Sequence, residues 1–311
     1  MSSKQIKITL ASPRGFCAGV ERAIETVKMA LKEHGSPVYV LHEIVHNKHV
    51  IANLQCGGAV FVESLDQIPK GEVCIFSAHG ISVDTEIQAE NLGLRTIDAT
   101  CPLVSSVHWM VERYSKENCS IVIIGHHKHP EVEGTAGRVP ENVYILATAQ
   151  EAEELQLPAD KPVAFVTQTT LAKNDIEQVL TVLKKRFPDL RGPTSNICFA
   201  TQNRQDAVRQ LAKESDVILV VGSKNSSNSN RLKEVGIEYG VEAFLVDDYR
   251  DIDIKWFENA SRIGITAGAS APESLVEGVV GWLSKKFDDC EVHEMEGTLE
   301  EVHFKPATLF D

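Results

Sequence analysis

Three of the seven cysteines, Cys17, Cys101 and Cys198, share a setting that favours thiolate chemistry. Each closes a turn or a short strand and is followed at once by an amphipathic run. After Pro13-Arg14-Gly15-Phe16-Cys17, the residues Val20, Ile24, Val27 and Leu31 fall on one helical face. After Asp98-Ala99-Thr100-Cys101-Pro102, the face is Val107, Met110, Val111 and Tyr114, with Thr100 expected as N-cap and the proline suited to a first turn. After Asn196-Ile197-Cys198 it is Ala207, Val208, Leu211 and Ala212. The pattern predicts three cysteines at three helix N-termini, where unpaired N–H groups and partial positive charge stabilise a thiolate or an anionic group. Three such thiolates could bind zinc, a haem-like group or an iron–sulfur cluster. A cluster with only three protein thiolates leaves one iron open to substrate. Spacing alone does not choose among these and buried structural cysteines. Cys56, Cys74, Cys119 and Cys290 lie in or beside apolar segments without a helix start and read as small buried hydrophobes.

A second chemistry is written in the polar loops. Ser226, Ser227, Asn228 and Ser270 offer hydroxyl and amide groups on glycine-flanked loops, and His46, His79 and His129 add donors or positive charge. Together they suit a phosphate. Glu131, two residues after His129, is the carboxylate among these loops and the natural proton donor.

The elements that must carry these residues form a repeat. His46 lies 29 residues after Cys17, His129 lies 28 after Cys101, and Asn228 lies 30 after Cys198. Short apolar strands alternate with helices at 6–10, 38–41, 59–62 and 73–76, then at 121–124, 143–146 and 164–166, then at 217–221, 243–246 and 263–266. Amphipathic helices are expected at 172–187 and 272–287, and strand-like alternation recurs at 292–295 and 302–304. This predicts an α/β fold of three similar small units with mostly parallel sheets: 1–100, 101–197 and 198–287, followed by a tail, 288–311. In such sheets ligands sit beyond the carboxyl ends of the strands, where all the polar loops fall. A pseudo-threefold arrangement would bring three cysteines and six loops to one cleft.

Composition narrows the function classes. There are 31 Lys and Arg residues against 44 Asp and Glu, a net charge of −13, with no basic stripe to contact nucleic acid. No apolar run approaches the roughly 18 residues of a membrane helix. The first seven residues lack a signal peptide's apolar stretch. The cysteines are odd in number and contain no C-x-x-C, so neither a disulfide framework nor a zinc ribbon is indicated. The expectation is a cytoplasmic protein with no nucleic-acid or membrane partner.

Eight blocks, taken together, resemble the 4-hydroxy-3-methylbut-2-enyl diphosphate reductases, the LytB or IspH family. They are Pro13-Arg14-Gly15-Phe16-Cys17-Ala18-Gly19-Val20, His42-Glu43-Ile44-Val45-His46-Asn47, Ser77-Ala78-His79-Gly80, Asp98-Ala99-Thr100-Cys101-Pro102-Leu103-Val104, His129-Pro130-Glu131-Val132-Glu133-Gly134, Thr167-Gln168-Thr169-Thr170-Leu171, the run from Gly222 through Ser226-Ser227-Asn228 to Leu232, and Thr266-Ala267-Gly268-Ala269-Ser270-Ala271-Pro272. The resemblance runs from about residue 8 to residue 285. It implies an oxidoreductase of isoprene biosynthesis that removes an allylic hydroxyl with two electrons and two protons. It also implies a 4Fe-4S cluster held by Cys17, Cys101 and Cys198 with an open fourth iron, and a ferredoxin or flavodoxin as electron donor. His46, His79, His129, Ser226, Ser227, Asn228 and Ser270 fall on its diphosphate-binding positions. Glu131 matches the proton-delivering acid, and Thr169 its neighbour near the substrate hydroxyl. Competing readings are a non-redox hydro-lyase, which would turn over without reductant, and a cluster-bearing sensor or metal-free sugar-phosphate-binding module.

Overall fold

A computed structural model describes residues 5–309. Residues 1–4, part of the segment read for a signal peptide, and the last two residues of the tail lie outside it. The chain begins β1 (Ile6–Leu10), α1 (Ala18–His34), β2 (Val38–Leu41), α2 (Lys48–Cys56), β3 (Ala59–Val62), β4 (Val73–Phe76), α3 (Val83–Asn91) and β5 (Arg95–Asp98). It continues α4 (Pro102–Lys116), β6 (Ser120–Ile124), α5 (Pro130–Ala136), β7 (Val143–Leu146), α6 (Ala149–Glu154), β8 (Val163–Thr167) and α7 (Lys173–Arg186). The last third holds α8 (Phe199–Ala212), β9 (Val217–Val221), α9 (Ser227–Glu238), β10 (Glu242–Val246), β11 (Arg262–Ala267), α10 (Glu273–Lys286) and β12 (Cys290–Glu294).

The strands form three sheets, β10-β9-β11-β1-β12, β3-β2-β4-β5 and β7-β6-β8. Every pairing within them is parallel. Central strands such as Val217–Val221 and Ser120–Ile124 are buried at every position, because helices cover both faces. The α/β class with parallel sheets expected from the alternating pattern is therefore the one observed.

The chain divides into two compact units. The first comprises the described residues up to Ala18, together with His46–Val50 and Phe199–Val302. Its five-stranded sheet packs Ile8, Leu219, Ile263 and Ile265 against Val276, Val279 and Leu283 of α10. On the opposite face Ile218 and Val220 meet Val208 and Leu211 of α8 and Leu232 and Val235 of α9. The second unit comprises Gly19–Val45, Ile51–Cys198 and the described residues from His303. There Ile121, Ile123 and Val166 pack on Val107, Val111 and Tyr114 of α4, while Val122, Ile124 and Phe165 pack on Ile176, Val179 and Leu183 of α7.

Five local features differ from expectation. β1, first in the chain, lies in the sheet of β9, β10 and β11, with Ile8 opposite Ile263 on one side and Val292 on the other. Periodicity identifies a strand but not its neighbour. The N-cap of α4 is Cys101 itself, because Thr100 turns its hydroxyl and its N–H to the Asp98 carboxylate. The alternation at 302–304 forms no strand, whereas β12 starts two residues before the expected 292. β5 was not foreseen: only Ile97 of its four residues is buried, so it carries no hydrophobic alternation.

Candidate functional site

In the first unit the segment leaving β1 runs beside the continuation of β11. Ala11 N–H donates to the Ile265 carbonyl at 2.8 Å, Gly15 N–H to Ala267 at 3.1 Å, and Cys17 N–H to Ala269 at 3.2 Å. Gly15 has φ 67°, a left-handed conformation that glycine adopts without strain. This path sets Cys17, half-buried, one residue before α1. The Ser270 hydroxyl, on the loop leaving β11, donates to the His46 carbonyl at 2.9 Å. Asn47 then starts α2, its Oδ1 accepting the His49 and Val50 N–H groups at 3.1 Å each.

The loop leaving β9 turns into α9 through Ser226, whose Oγ accepts the Ser229 N–H at 3.3 Å. Ser227 is the first residue of the 12-residue helix. Asn228 follows, only 5% exposed, and neither its Nδ2 nor its Oδ1 has a hydrogen-bond partner. A buried amide left unsatisfied costs about 1–3 kcal/mol. At a helix N-terminus among hydroxyls, an anion is the ligand that would take up its Nδ2–H donors. Asp247 braces this loop against the start of α2: its Oδ1 accepts the Ser223 hydroxyl at 2.8 Å and its Oδ2 the Lys48 ammonium at 2.7 Å.

The second unit carries the remaining predicted residues. His79 follows β4, with its Nδ1 3.1 Å from the Ser77 hydroxyl. Gly80, φ 79°, completes the turn. His129 caps α5, and its Nδ1 accepts the Glu131 N–H at 3.2 Å. A nitrogen that accepts carries no proton, so the neutral imidazole holds its hydrogen on Nε2 and presents a donor there. The His79 and His129 rings stand edge to face with centroids 6.0 Å apart.

Glu131 is 4% exposed, and Thr169 engages both of its carboxylate oxygens. The Thr169 N–H donates to Oε1 at 2.6 Å and the hydroxyl to Oε2 at 3.0 Å. The Thr169 carbonyl in turn accepts the Cys198 N–H at 3.1 Å. Cys198 immediately precedes α8, and Cys101, whose N–H donates to Ala78 at 3.1 Å, caps α4. All three helix-start cysteines are half-buried, whereas Cys74 and Cys119 are buried. Burial pushes the Cys74 thiol up to about 12 and the Cys119 thiol upward as well, which keeps both protonated. Cys56 and Cys290 differ from their expected burial: Cys56 is exposed at the end of α2, and Cys290 is half-buried at the start of β12. Among the described residues, no three His, Cys, Asp or Glu side chains are grouped as around a single metal ion.

Three supporting residues escaped the sequence reading. Gln168 accepts the His126 N–H on Oε1 at 3.0 Å and donates from Nε2 to the Thr170 hydroxyl at 2.8 Å, joining the loops that carry Glu131 and Thr169. It lies between Thr167 and Thr169 in the loop leaving β8. His108 lies on α4 against the Gly80 turn, so close that a methyl on Gly80 would stand 2.4 Å from its Cε1. Desolvation, with a smaller contribution from Arg138, holds its imidazole down to about 4. Nothing in the sequence separates it from an ordinary core residue. The third is the buried Arg204.

A family model described as LytB protein matches residues 8–284. A 4-hydroxy-3-methylbut-2-enyl diphosphate reductase of Desulfotalea psychrophila is 70% identical over 310 residues, covering 100% of this chain and 99% of the relative. The enzyme of that name from Zymomonas mobilis is 52% identical, covering 98% and 90%. Among solved structures, the E-1-hydroxy-2-methyl-but-2-enyl-4-diphosphate reductase of Plasmodium falciparum superposes with a TM-score of 0.91 at 37% identity, covering 96% of this chain and 95% of that one. An (E)-4-hydroxy-3-methyl-but-2-enyl diphosphate reductase described as the terminal enzyme of the non-mevalonate pathway gives a TM-score of 0.66 at 31% identity, covering 90% and 100%. With a match of this extent, the protein belongs to the LytB family.

Proposed function

We propose that this chain reduces (E)-4-hydroxy-3-methylbut-2-enyl diphosphate to isopentenyl and dimethylallyl diphosphates, the last step of the non-mevalonate isoprenoid pathway. The allylic C–O bond breaks, two electrons and two protons enter, and water leaves. Enzymes of this family are iron–sulfur proteins. In our reading Cys17, Cys101 and Cys198 hold one 4Fe-4S cluster whose fourth iron has no protein thiolate. The donor set suits it: each thiol is half-buried at the start of a helix of 14 to 17 residues, which favours thiolate and an anionic group, and the buried cysteines lie elsewhere. A four-iron cluster spreads its ligands over separate irons, so they need not meet as they would around one ion. When bound, it supplies the electrons and a Lewis-acidic iron for the hydroxyl.

The observation that carries the assignment is the pairing of Glu131 with Thr169. A nearly buried carboxyl, oriented through both oxygens, is tied by one residue to the backbone of a candidate ligand cysteine. When Glu131 is protonated at Oε2, the Thr169 hydroxyl turns to accept that hydrogen and gives its own to the departing oxygen. His46, His79, His129, Ser226, Ser227, Asn228 and Ser270 bind the diphosphate. His129 contributes Nε2–H, and Asn228 its amide. Such fixed donors orient the prenyl chain and exchange water's hydrogen bonds for preorganised ones. The repeat supports the three-unit description by sequence, and a ferredoxin or flavodoxin in the cytoplasm suits the electron demand. The test is Glu131→Gln, which keeps the shape and removes the transferable proton. Substrate binding is expected to persist while most turnover is lost, and an unchanged turnover number removes Glu131 from the proton path.

A further inference from the structure

The C-terminal tail is fastened across the segment that delivers Cys17. β12 pairs in parallel with β1, and Met295 N–H then donates to the Leu10 carbonyl at 3.0 Å. Gly297 lies so near the Ser12 carbonyl that a side chain there would overlap it. Arg14 is ion-paired with Glu294 at 2.8 Å. Beyond them Glu300 reaches Arg204, a guanidinium on α8 that is 1% exposed.

Arg204 uses its whole fork. Nε donates to the Gly15 carbonyl at 3.0 Å and Nη2 to the Phe16 carbonyl at 3.0 Å. Nη1 donates to Ala200 at 2.9 Å and to both Glu300 oxygens at 3.0 and 3.1 Å. The two carbonyls belong to the peptides just before Cys17, so their planes are fixed by one rigid planar group. A buried cation persists only where it is paired and hydrogen-bonded, and Glu300 supplies that charge. Lysine offers donors from a single nitrogen and does not reproduce the fork.

We infer that Arg204, held by Glu300, is a positioning residue for Cys17, and that the tail is therefore part of the ligand-presenting structure. The inference rests on reading Cys17 as a cluster ligand, but it can be tested without the cluster. The metal-free full-length chain and its Arg204→Lys, Glu300→Ala and Glu300→Gln variants are alkylated with iodoacetamide, and the rate at each cysteine is read by mass spectrometry. Loss of hydrogen bonds to a charged group should raise local opening at Cys17, and so its labelling rate, by about tenfold in Arg204→Lys and Glu300→Ala. Cys101 and Cys198 should stay within about twofold, and Glu300→Gln, which keeps an acceptor, should fall between. Unchanged labelling of Cys17 in folded variants overturns the inference, as does equal acceleration at all three cysteines, which marks general loosening. Reconstitution with iron and sulfide separates the two readings: a wild-type chain that takes up no iron defeats Cys17 as a ligand and leaves the labelling result to judge Arg204.

Discussion

Lowering the pH should unfasten the His79 turn through His108. The folded chain holds this imidazole neutral, near 4, by burial and the proximity of Arg138, whereas in the unfolded chain it titrates at its ordinary 6.5. Below 6.5 the unfolded state binds a proton that the folded state refuses, so the neutral ring's contribution is fully present above that pH and is lost as pH falls toward 4. At 1.36 kcal/mol for each pH unit, the gap amounts to about 3 kcal/mol, most of it spent by pH 4.5. The ring packs on Gly80, so rehydrating it displaces the turn that carries His79. Urea unfolding of the metal-free chain and of His108→Gln, at intervals from pH 8 to pH 4.5, isolates this histidine from the others. The wild type should lose about 2 to 3 kcal/mol more than the variant over that range. Parallel pH profiles, or a nuclear magnetic resonance titration placing His108 near 6.5, would refute the reasoning.

Two further substitutions separate function from stability. Asn228→Leu removes a buried amide that has no protein partner, so the unfolding midpoint should hold or rise while KM for the diphosphate substrate increases about tenfold or more. A fall in stability with unchanged KM would make the amide structural. Thr169→Val keeps the N–H to Glu131 Oε1 and deletes the hydroxyl to Oε2, and kcat should fall about a hundredfold, with Thr169→Ser restoring most of it in steady-state assays.

The legible part of the molecule is the part that local sequence determines. A turn, a cysteine and an amphipathic run specify a helix start whatever surrounds it, and Cys17, Cys101 and Cys198 all stand at one. The almost wholly apolar strand β6 and the all-apolar β9 announce burial on both faces in the same way. What escaped was non-local. β1 reads as a strand, but its pairing with β11 and β12 depends on residues more than 250 positions away. Arg204 reads as a polar position on α8, yet it is buried because the Cys17 loop and Glu300 bring their carbonyl and carboxylate groups to it. The bond between Thr169 and Glu131 likewise spans 38 residues, and singling out each residue by itself does not imply their contact.

The central claim is that three helix-start cysteines carry a cluster that reduces a prenyl diphosphate. Its most direct test is purification without oxygen, a visible spectrum, and an assay of hydroxymethylbutenyl diphosphate consumption with and without a strong one-electron reductant. The account predicts a brown protein absorbing near about 410 nm, as cysteine-held iron–sulfur clusters do, and turnover only with reductant. Turnover without reductant would make the enzyme a hydro-lyase. Colourless, inactive protein after reconstitution with iron and sulfide would contradict the account at Cys17, Cys101 and Cys198 together.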